Sequence, residues 1–394
     1  MNFYKQTSQK IAIVGGGQLG RMLLEAGSPL DLHFSVLDNS PDAPCASICR
    51  NFRVGKITDF QAVYNFGKEA DVITIEIENV NTQALYELAK DGKKVFPQPH
   101  IISLIQDKIL QKQFYQQNYI PTAEFRVAKN AREVQENSDF LPFVQKLARE
   151  GYDGRGVQIF HEVSQLAHAF DKPSVLEKLV PIDKEIAVIV CRNEQKEISI
   201  FPLVEMVFNP QYNLVDYIFS PAQVSPHIEQ QAVEIARRIA QAFDLVGILA
   251  IEMFVDKQGN ILVNEAAPRP HNSGHHTIEG CFTSQFEQHL RTILGLPFGS
   301  TALRSPWIGM LNLIGEIGYV GKPIYQNMEK ILALQGAFVH LYGKKVTQPS
   351  RKMGHITFLA HSLEELIQKI RFARSEVKIL AERAIPEKSA PWVS

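Results

Sequence analysis

Residues 251–265, IEMFVDKQGNILVNE, carry the pattern that decides the fold of this 394-residue chain. Two apolar runs flank a polar turn, which predicts a β-hairpin. Symmetric pairing about the turn places Val255 opposite Leu262 and Glu252 opposite Glu265. The two carboxylates then share one face of the hairpin, with Cβ atoms about 5 Å apart, where like charges destabilise a sheet.

A divalent cation between Glu252 and Glu265 would remove this repulsion, and hard carboxylate oxygens suit Mg²⁺. Asn264, beside Glu265, can add a neutral oxygen ligand if the chain bends at the end of the strand. The alternative is a pair of solvated carboxylates at a sheet edge, which the strongly apolar neighbours disfavour. We therefore predict a magnesium site at Glu252 and Glu265.

A glycine-rich segment, GYDGRG at 151–156, lies between two predicted strands. Its glycines permit a mobile hairpin whose backbone N–H groups can cover phosphates. Lys146 lies at the end of the preceding strand, where it can point a cation at the same oxygens, and Asp153 and Arg155 can meet a charged substrate. A plain surface turn is the alternative, and the predicted magnesium site disfavours it.

A second glycine-rich segment, GGGQLG at 15–20, follows a short apolar strand, KIAIV at 10–14. Together with Asp38 at the end of the next strand, it matches the dinucleotide-binding pattern of strand, tight turn and helix. However, backbone N–H groups at a helix N-terminus bind any phosphate. On this loop alone, NAD or FAD, another phosphate ligand and a merely tight turn all stay open.

Two polar segments follow the hairpin. The first, AAPRPHNSGHH at 266–276, carries many hydrogen-bond donors directly after Glu265, where an anionic intermediate would be held. His271 and His275 raise zinc as an alternative, but they lie in a loop with proline and glycine rather than on a helix. The second, GKKVTQPSRK at 343–352, is either a solvated basic face or a turn that closes on a phosphate.

Composition excludes several classes of protein. With 41 basic and 42 acidic residues the net charge is −1, which disfavours a general nucleic-acid binder. Cys45, Cys49, Cys191 and Cys281 are too few and too scattered for a disulfide framework or a zinc site. The chain has no apolar run long enough to span a membrane, and its polar start resembles no targeting segment. We expect a cytoplasmic protein with free thiols that binds neither nucleic acid nor membrane.

The order of predicted elements indicates a mixed α/β and α+β architecture. The first hundred residues read as a doubly wound α/β unit. A small α+β module around the GYDGRG loop follows, and then an antiparallel sheet that contains the 247–265 hairpin. An amphipathic helix at 226–243 begins with Ser225 as N-cap and Pro226 as its first residue, and we interpret it as structural.

Taken in order, the motifs resemble those of one family. GGGQLGRM at 15–22, EIE at 76–78, GYDGRG, VNEAAPRPHNSGH at 263–275 and SRKMGH at 350–355 are similar to N5-carboxyaminoimidazole ribonucleotide synthetases, ATP-grasp enzymes of purine biosynthesis. The resemblance covers nearly the whole chain. APRPHNSGH and GYDGRG together are highly specific, whereas the first glycine loop alone is not.

This resemblance implies an ATP-grasp fold in four parts. These are a Rossmann-like pre-ATP-grasp domain at 1–105, a lid domain at 106–183, an ATP-grasp C domain with the magnesium–ATP site at 184–300, and a β-rich C-terminal extension at 301–394. The extension would complete the substrate site.

The same resemblance implies an ATP-dependent ligase that forms a C–N bond. Such an enzyme carboxylates 5-aminoimidazole ribonucleotide with ATP and bicarbonate, through carboxyphosphate, and releases ADP and phosphate. Mg²⁺ would be its cofactor, without NAD, zinc or biotin, and the family suggests a homodimer. The alternatives are another ATP-grasp ligase, an NAD-dependent dehydrogenase and a non-catalytic nucleotide sensor.

Motif matching also implies a role for individual residues. Those implied to bind ATP include two phosphate-binding lysines, the lid, and a strand that contacts adenine: Lys108, Lys146, Gly151, Tyr152, Asp153, Gly154, Arg155, Gly156, Val157, Glu177, Lys178, Leu179, Val180, Glu185, Asn264 and Glu265.

The residues implied to bind ribonucleotide or bicarbonate are Gln18, Leu19, Glu76, Tyr152, Asp153, Arg155, Arg269, His271, Asn272, Ser273, Lys344 and Arg351. Of these, Asp153, Arg155, Arg269 and Lys344 are the predicted catalytic residues. Asp153 would orient or deprotonate the attacking amine. The motif does not decide whether Glu76 or Glu78 contacts the ribonucleotide.

Overall fold

The computed structural model describes residue 5 and residues 7–149, 156–209 and 214–382. Its N-terminal part is a parallel sheet with helices on both faces. The elements in chain order are β1 (Lys10–Val14), α1 (Gln18–Gly27), β2 (His33–Asp38), β3 (Asn51–Val54), α2 (Phe60–Gly67), β4 (Val72–Ile75), α3 (Thr82–Lys90), β5 (Lys94–Val95) and α4 (Pro99–Ile105).

The five strands pair in the order β3-β2-β1-β4-β5, and all pairs are parallel. In β1, Ile11 and Ile13 pack in the same cluster as residues of α1, whereas Ala12 and Val14 pack with residues of α2 and α3. An apolar run without alternation is therefore buried on both faces, as parallel strands require. The carboxyl ends of β1 and β4 lead directly into the GGGQLG loop and the EIE segment.

A linking helix, α5 (Lys108–Gln117), leads into a four-stranded antiparallel module. Its elements are β6 (Phe125–Ala128), α6 (Ala131–Glu136), β7 (Phe143–Leu147), β8 (Val157–Phe160) and β9 (Ser174–Lys178). The strands pair in the order β6-β9-β7-β8, which places β9 and β7 in the middle. Phe143, Phe160 and Leu176 form the centre of its small core.

The third part is a nine-stranded antiparallel sheet with flanking helices. Its elements are β10 (Ile182–Arg192), β11 (Ile198–Ile200), β12 (Val204–Asn209), β13 (Leu214–Ser220), α7 (Pro226–Ala242), β14 (Gly247–Asp256), β15 (Ile261–Ala267), α8 (Thr277–Gly280), α9 (Gln285–Ile293), β16 (Trp307–Ile314), β17 (Pro323–Gln326), α10 (Met328–Leu332), β18 (Ala337–Leu341), β19 (Lys352–Ala360), α11 (Leu363–Glu376) and β20 (Lys378–Ala381).

The large sheet has the order β15-β14-β10-β12-β13-β16-β19-β18, with β11 on β10, while β17 and β20 pair separately. Pairing of β13 with β16 carries the sheet across residue 300, from Tyr217 opposite Leu311 to Ser220 opposite Ile308. The predicted division at 300 is therefore not a break in the sheet. The limits of the four predicted domains stay predictions.

Helix α7 begins as its sequence predicts. The Ser225 side chain accepts a hydrogen bond from the N–H of Ile228, and Pro226 is the first helical residue. Its apolar stripe, which includes Ala236 and Ile239, packs with the buried residues of β10 and β14. The helix supports the back of the hairpin from which the carboxylates project. Among the described helices, none is long and apolar enough to cross a membrane.

We expect Ile239→Ala to lower the free energy of unfolding by about 2–5 kcal/mol, because it removes a fully buried side chain and leaves a cavity behind β14. Urea denaturation followed by circular dichroism measures the change. Gln231→Ala, on the exposed face of the same helix, is the matched control. A loss below about 1 kcal/mol at Ile239 contradicts the assigned packing.

Candidate active site

The hairpin formed by β14 and β15 brings the two predicted metal ligands together. Glu252 pairs with Glu265, which confirms the predicted juxtaposition of the carboxylates. The predicted pairing of Val255 with Leu262 is wrong, because Val255 pairs with Ile261. The register shifts by one residue between Glu252 and Met253, where β15 accommodates Asn264 as an extra residue.

This bulge turns Asn264 towards the same group of side chains as Glu265. Lys146, on β7, donates from Nζ to Oδ1 of Asn264 at 2.8 Å. Lys108, the first residue of α5, donates from Nζ to Oε2 of Glu265 at 2.9 Å. Two lysines from different elements therefore contact β15, as expected for cations that would face phosphate oxygens.

The electrostatics of the carboxylate pair are strongly asymmetric. Burial, reinforced by Glu265 and Glu185, raises the pKa of Glu252 to about 8. Lys108, acting against the effect of burial, lowers the pKa of Glu265 to about 2. Without a further cation the site therefore holds Glu265 ionised and makes ionisation of Glu252 costly.

These oxygen donors fit Mg²⁺. Among the described residues, no three His, Cys, Asp or Glu side chains form a group that could hold a metal by themselves. A magnesium ion on Glu252 and Glu265 would take its other oxygens from a phosphate and from water, which is how proteins commonly bind it. Its charge would also offset the repulsion that raises the pKa of Glu252.

A buried lysine that the sequence analysis did not single out completes this group. Lys112 lies one helical turn after Lys108 and is 2% exposed. Its Nζ is 3.2 Å from Oε2 of Glu177, and Glu177 in turn contacts Lys146 at 3.1 Å. Burial raises the pKa of Glu177, but Lys146 and Lys112 together outweigh burial and lower it. In the sequence, the i, i+4 spacing of Lys108 and Lys112 on one predicted helix indicates that both side chains lie on the same face.

Several backbone N–H groups of the GGGQLG loop donate hydrogen bonds to carboxylates of the chain itself. The N–H of Gly16 donates to Oδ2 of Asp38 at 2.7 Å, and the carboxylate of Glu76 accepts from Gly17 and from the N–H of Gly20. A Cβ on Gly17 would lie 2.7 Å from Oε1 of Glu76, so only glycine leaves room for this carboxylate. Asp38 and Glu76 thus accept hydrogen bonds from N–H groups at the start of α1.

The two acids of the EIE segment have separate partners. Glu76 is 7% exposed, and its carboxylate lies against the glycine loop. Burial raises the pKa of this carboxylate. Oε2 of Glu78 is 2.8 Å from Nε of Arg269, in the segment that leaves β15. The Glu78–Arg269 pair therefore connects the N-terminal sheet to the hairpin side of the site.

Residues after β15 are ordered by short local contacts. The N–H of Ser273 donates to Nδ1 of His271, so a neutral His271 carries its proton on Nε2. That atom lies 3.7 Å from Oε1 of Glu252. Ser273 is buried with its hydroxyl 2.9 Å from His271, and the Asn272 amide pairs with that of Asn312. Their side chains position this segment around His271.

The basic segment at 343–352 approaches both the hairpin and α1. Lys344 donates from Nζ to the carbonyl oxygen of Lys352 at 2.6 Å. The charge of Lys352 partly opposes the burial that raises the pKa of Glu252. Arg351 donates to the carbonyl oxygen of Val346, which holds the turn. A Cβ on Gly343 would lie 2.8 Å from Nη1 of Arg21, so this segment also touches α1.

Three family models match successive parts of the chain. They are a ribonucleotide synthetase preATP-grasp domain at residues 8–106, an ATP-grasp domain at 113–286 and a phosphoribosylaminoimidazole carboxylase C-terminal domain at 309–369. The N5-carboxyaminoimidazole ribonucleotide synthase of Bacillus subtilis is 36% identical over 366 residues, which cover 91% of this chain and 94% of the relative. The chain belongs to the N5-carboxyaminoimidazole ribonucleotide synthetase family.

Solved structures of this family are similar throughout. The synthetase from Thermotoga maritima has a TM-score of 0.87 and 40% identity, and the match covers 95% of this chain and 100% of that one. The synthase from Aspergillus clavatus, in complex with ADP and 5-aminoimidazole ribonucleotide, has a TM-score of 0.86 and 35% identity, with 94% and 98% covered.

Other relatives are longer proteins named phosphoribosylaminoimidazole carboxylase. The chain spans 65% of the length of the chloroplastic protein from Vigna aconitifolia, at 37% identity over 364 residues, and 69% of that from Ogataea methanolica. This chain therefore matches about two thirds of these proteins.

Family membership confirms the predicted ATP-grasp fold with its N-terminal preATP-grasp domain, and it makes the chain an ATP-dependent ligase. The residue roles remain predictions. Gly151, Tyr152, Asp153, Gly154 and Arg155 lie outside the described residues.

The other predicted site residues are distributed over several elements. Gly156 has a φ of +73°, and Val157 begins β8 opposite Lys146. Lys178 donates from Nζ to two carbonyl oxygens of the module, so its side chain supports the module itself. Leu19 packs into the core beside Tyr342, whereas Gln18 at the start of α1 is half-buried.

Glu185 provides a pH test of the site in the absence of ligand. Burial raises its pKa to about 7, with Lys146 acting in the opposite direction. The folded state therefore keeps a proton that the unfolded state releases, so this group lowers stability as pH rises from about 4.5 to about 7. We expect wild type to lose melting temperature relative to Glu185→Gln across that interval. If the melting temperatures of the two proteins change with pH in parallel, the raised pKa assigned to Glu185 is wrong.

Proposed function

We propose that the chain carboxylates the exocyclic amine of 5-aminoimidazole ribonucleotide with ATP and bicarbonate, and so forms N5-carboxyaminoimidazole ribonucleotide, ADP and phosphate. The reaction would belong to de novo purine biosynthesis. The observation that carries the proposal is the Glu252–Glu265 pair, which faces Lys108 and the Lys146–Asn264 contact. This is a donor set for a magnesium-bound triphosphate.

The first step would be attack of a bicarbonate oxygen on the γ-phosphorus of ATP. The bond between that phosphorus and the β,γ-bridging oxygen breaks, and ADP leaves with the electron pair. The product, carboxyphosphate, is a mixed anhydride. Lys108 and Lys146 lie where they would bind phosphate oxygens whose charge changes during the transfer. Mg²⁺ on Glu252 and Glu265 would supply further charge neutralisation at the phosphates.

In the second step the amine nitrogen of the ribonucleotide would form a bond to the carboxyphosphate carbon. Phosphate leaves and the nitrogen loses one proton. Arg269, which pairs with Glu78, and His271, whose Nε2 lies towards Glu252, would bind the anionic intermediate. Asp153 remains the proposed group that orients or deprotonates the amine, with Arg155 and Lys344 on the ribonucleotide.

The second step requires that water be excluded, because carboxyphosphate hydrolyses readily. The predicted lid at 151–156 joins β7 to β8, directly after the strand that carries Lys146. Closure of that segment over ATP would remove solvent from the intermediate.

We also propose that the protein acts in the cytoplasm as a homodimer. All four cysteines are free and buried, which fits a reducing compartment. Size-exclusion chromatography with light scattering tests the oligomeric state directly.

The proposed function predicts that ADP release requires ATP, Mg²⁺ and bicarbonate and rises on addition of 5-aminoimidazole ribonucleotide. A coupled assay for ADP, with and without the ribonucleotide, measures this. The carboxylated product is identified by incorporation of labelled bicarbonate. The proposal is contradicted if ADP release does not rise when the ribonucleotide is added, or if the protein binds NADH tightly.

We expect Glu265→Gln to lower ATP turnover by at least about 100-fold, because it removes a carboxylate from the metal and the partner of Lys108. The circular dichroism spectrum should stay unchanged. Glu287→Gln is the matched control, since Glu287 also pairs with a cation, Arg291, but on α9. If Glu265→Gln keeps its ATP turnover, the proposal that Glu265 is a metal ligand is wrong.

A further inference from the structure

Lys112 is a buried cation for which the proposed reaction has no assigned role. It is 2% exposed, on the face of α5 that it shares with Lys108. Its Nζ lies 2.6 Å from Oγ1 of Thr122 and 3.2 Å from Oε2 of Glu177. Thr122 in turn donates to the carbonyl oxygen of Val263 on β15, so its oxygen is oriented to accept from Lys112.

Lys112 gives the group of charges around Glu177 a net positive charge. Glu177 is 3% exposed and contacts both Lys112 and Lys146, so the three groups together carry one net positive charge. Removal of Lys112 would leave Glu177 and Lys146 as a neutral pair. The negative charge of Glu177 would then be paired with Lys146 alone. The net positive charge beside Asn264 would be lost.

Burying an ammonium group costs free energy, which is another sign that Lys112 has a role beyond filling space. Burial lowers the pKa of Lys112 to about 8, with Glu177 opposing it, so the lysine stays mainly charged at neutral pH. An apolar side chain would be easier to bury on the same helix, but it would leave the buried Glu177 with one cation instead of two.

We propose that Lys112 is a positioning residue for ATP: it neutralises Glu177, so that Lys146 can direct its charge at the triphosphate. Lys112 itself does not touch the nucleotide. The effect passes from Lys112 to Glu177, from Glu177 to Lys146, and from Lys146 to the phosphates at Asn264. This inference rests on the proposed function only in requiring that the triphosphate lies against Lys146.

The test compares binding of MgATP with binding of adenosine, which has the same base and sugar but no phosphate. Isothermal titration calorimetry measures both ligands. We expect Lys112→Met to weaken MgATP binding on the order of tenfold or more, since one buried charge is lost. Adenosine binding should stay within about twofold of wild type, because adenosine has no phosphate for Lys146 to bind.

A second substitution tests the charge argument. In Lys112→Met combined with Glu177→Gln, the net charge of the group returns to the wild-type value. We expect the double variant to recover most of the wild-type ratio of MgATP affinity to adenosine affinity, because this ratio reports the charge that reaches the phosphates, whereas a merely structural lysine would change both affinities together. Lys112→Arg keeps the charge and tests the same point if Lys112→Met folds poorly. Lys369→Met, which removes a half-buried lysine paired with Glu365 on α11, is the matched control.

Three outcomes overturn the inference: unchanged MgATP affinity in Lys112→Met, an equal loss for adenosine and MgATP, or a double variant as weak as the single one. Wild type that binds no MgATP contradicts the proposed function instead. Wild type that binds MgATP, together with an unaffected Lys112→Met, contradicts only the role of Lys112.

Discussion

Two carboxylates held against each other on one hairpin are the constraint around which the site is organised. Glu252 and Glu265 face each other across β14 and β15, and in a sheet such a pair is unfavourable. The surrounding elements each contribute a group that offsets this: Lys108 begins α5, Lys146 comes from β7, and His271 follows β15. Three separate parts of the fold thus converge on one pair of like charges.

The bulge at Asn264 makes this convergence possible. In a regular strand Asn264 and Glu265 would point to opposite faces, and Lys146 could contact only one of them. One extra residue in β15 lets Lys146 bind Asn264 while it also lowers the pKa of Glu265. The Lys146–Asn264 contact at the bulge also connects the four-stranded module to the nine-stranded sheet.

The glycine loop illustrates how one backbone shape serves two chemistries. Its N–H groups lie at the start of α1, where a phosphate could bind. Asp38 and Glu76 bind these groups instead, and the absence of a Cβ at Gly17 provides the space for Glu76. The loop keeps the pattern of strand, turn and helix. The anionic groups that accept its hydrogen bonds are side-chain carboxylates of the protein.

The sequence by itself determined the order of the three main parts of the fold and the facing of Glu252 and Glu265, because apolar runs and polar turns are local patterns. It could not determine that Asn264 bulges, that Lys112 meets Glu177, or that Glu76 and Glu78 have different partners. Glu177 and Lys112 are 65 residues apart in the chain, and Glu78 and Arg269 are 191 apart. Only the packing of α5 and two sheets against each other brings such pairs into contact, and the balance of buried charges decides which contacts form.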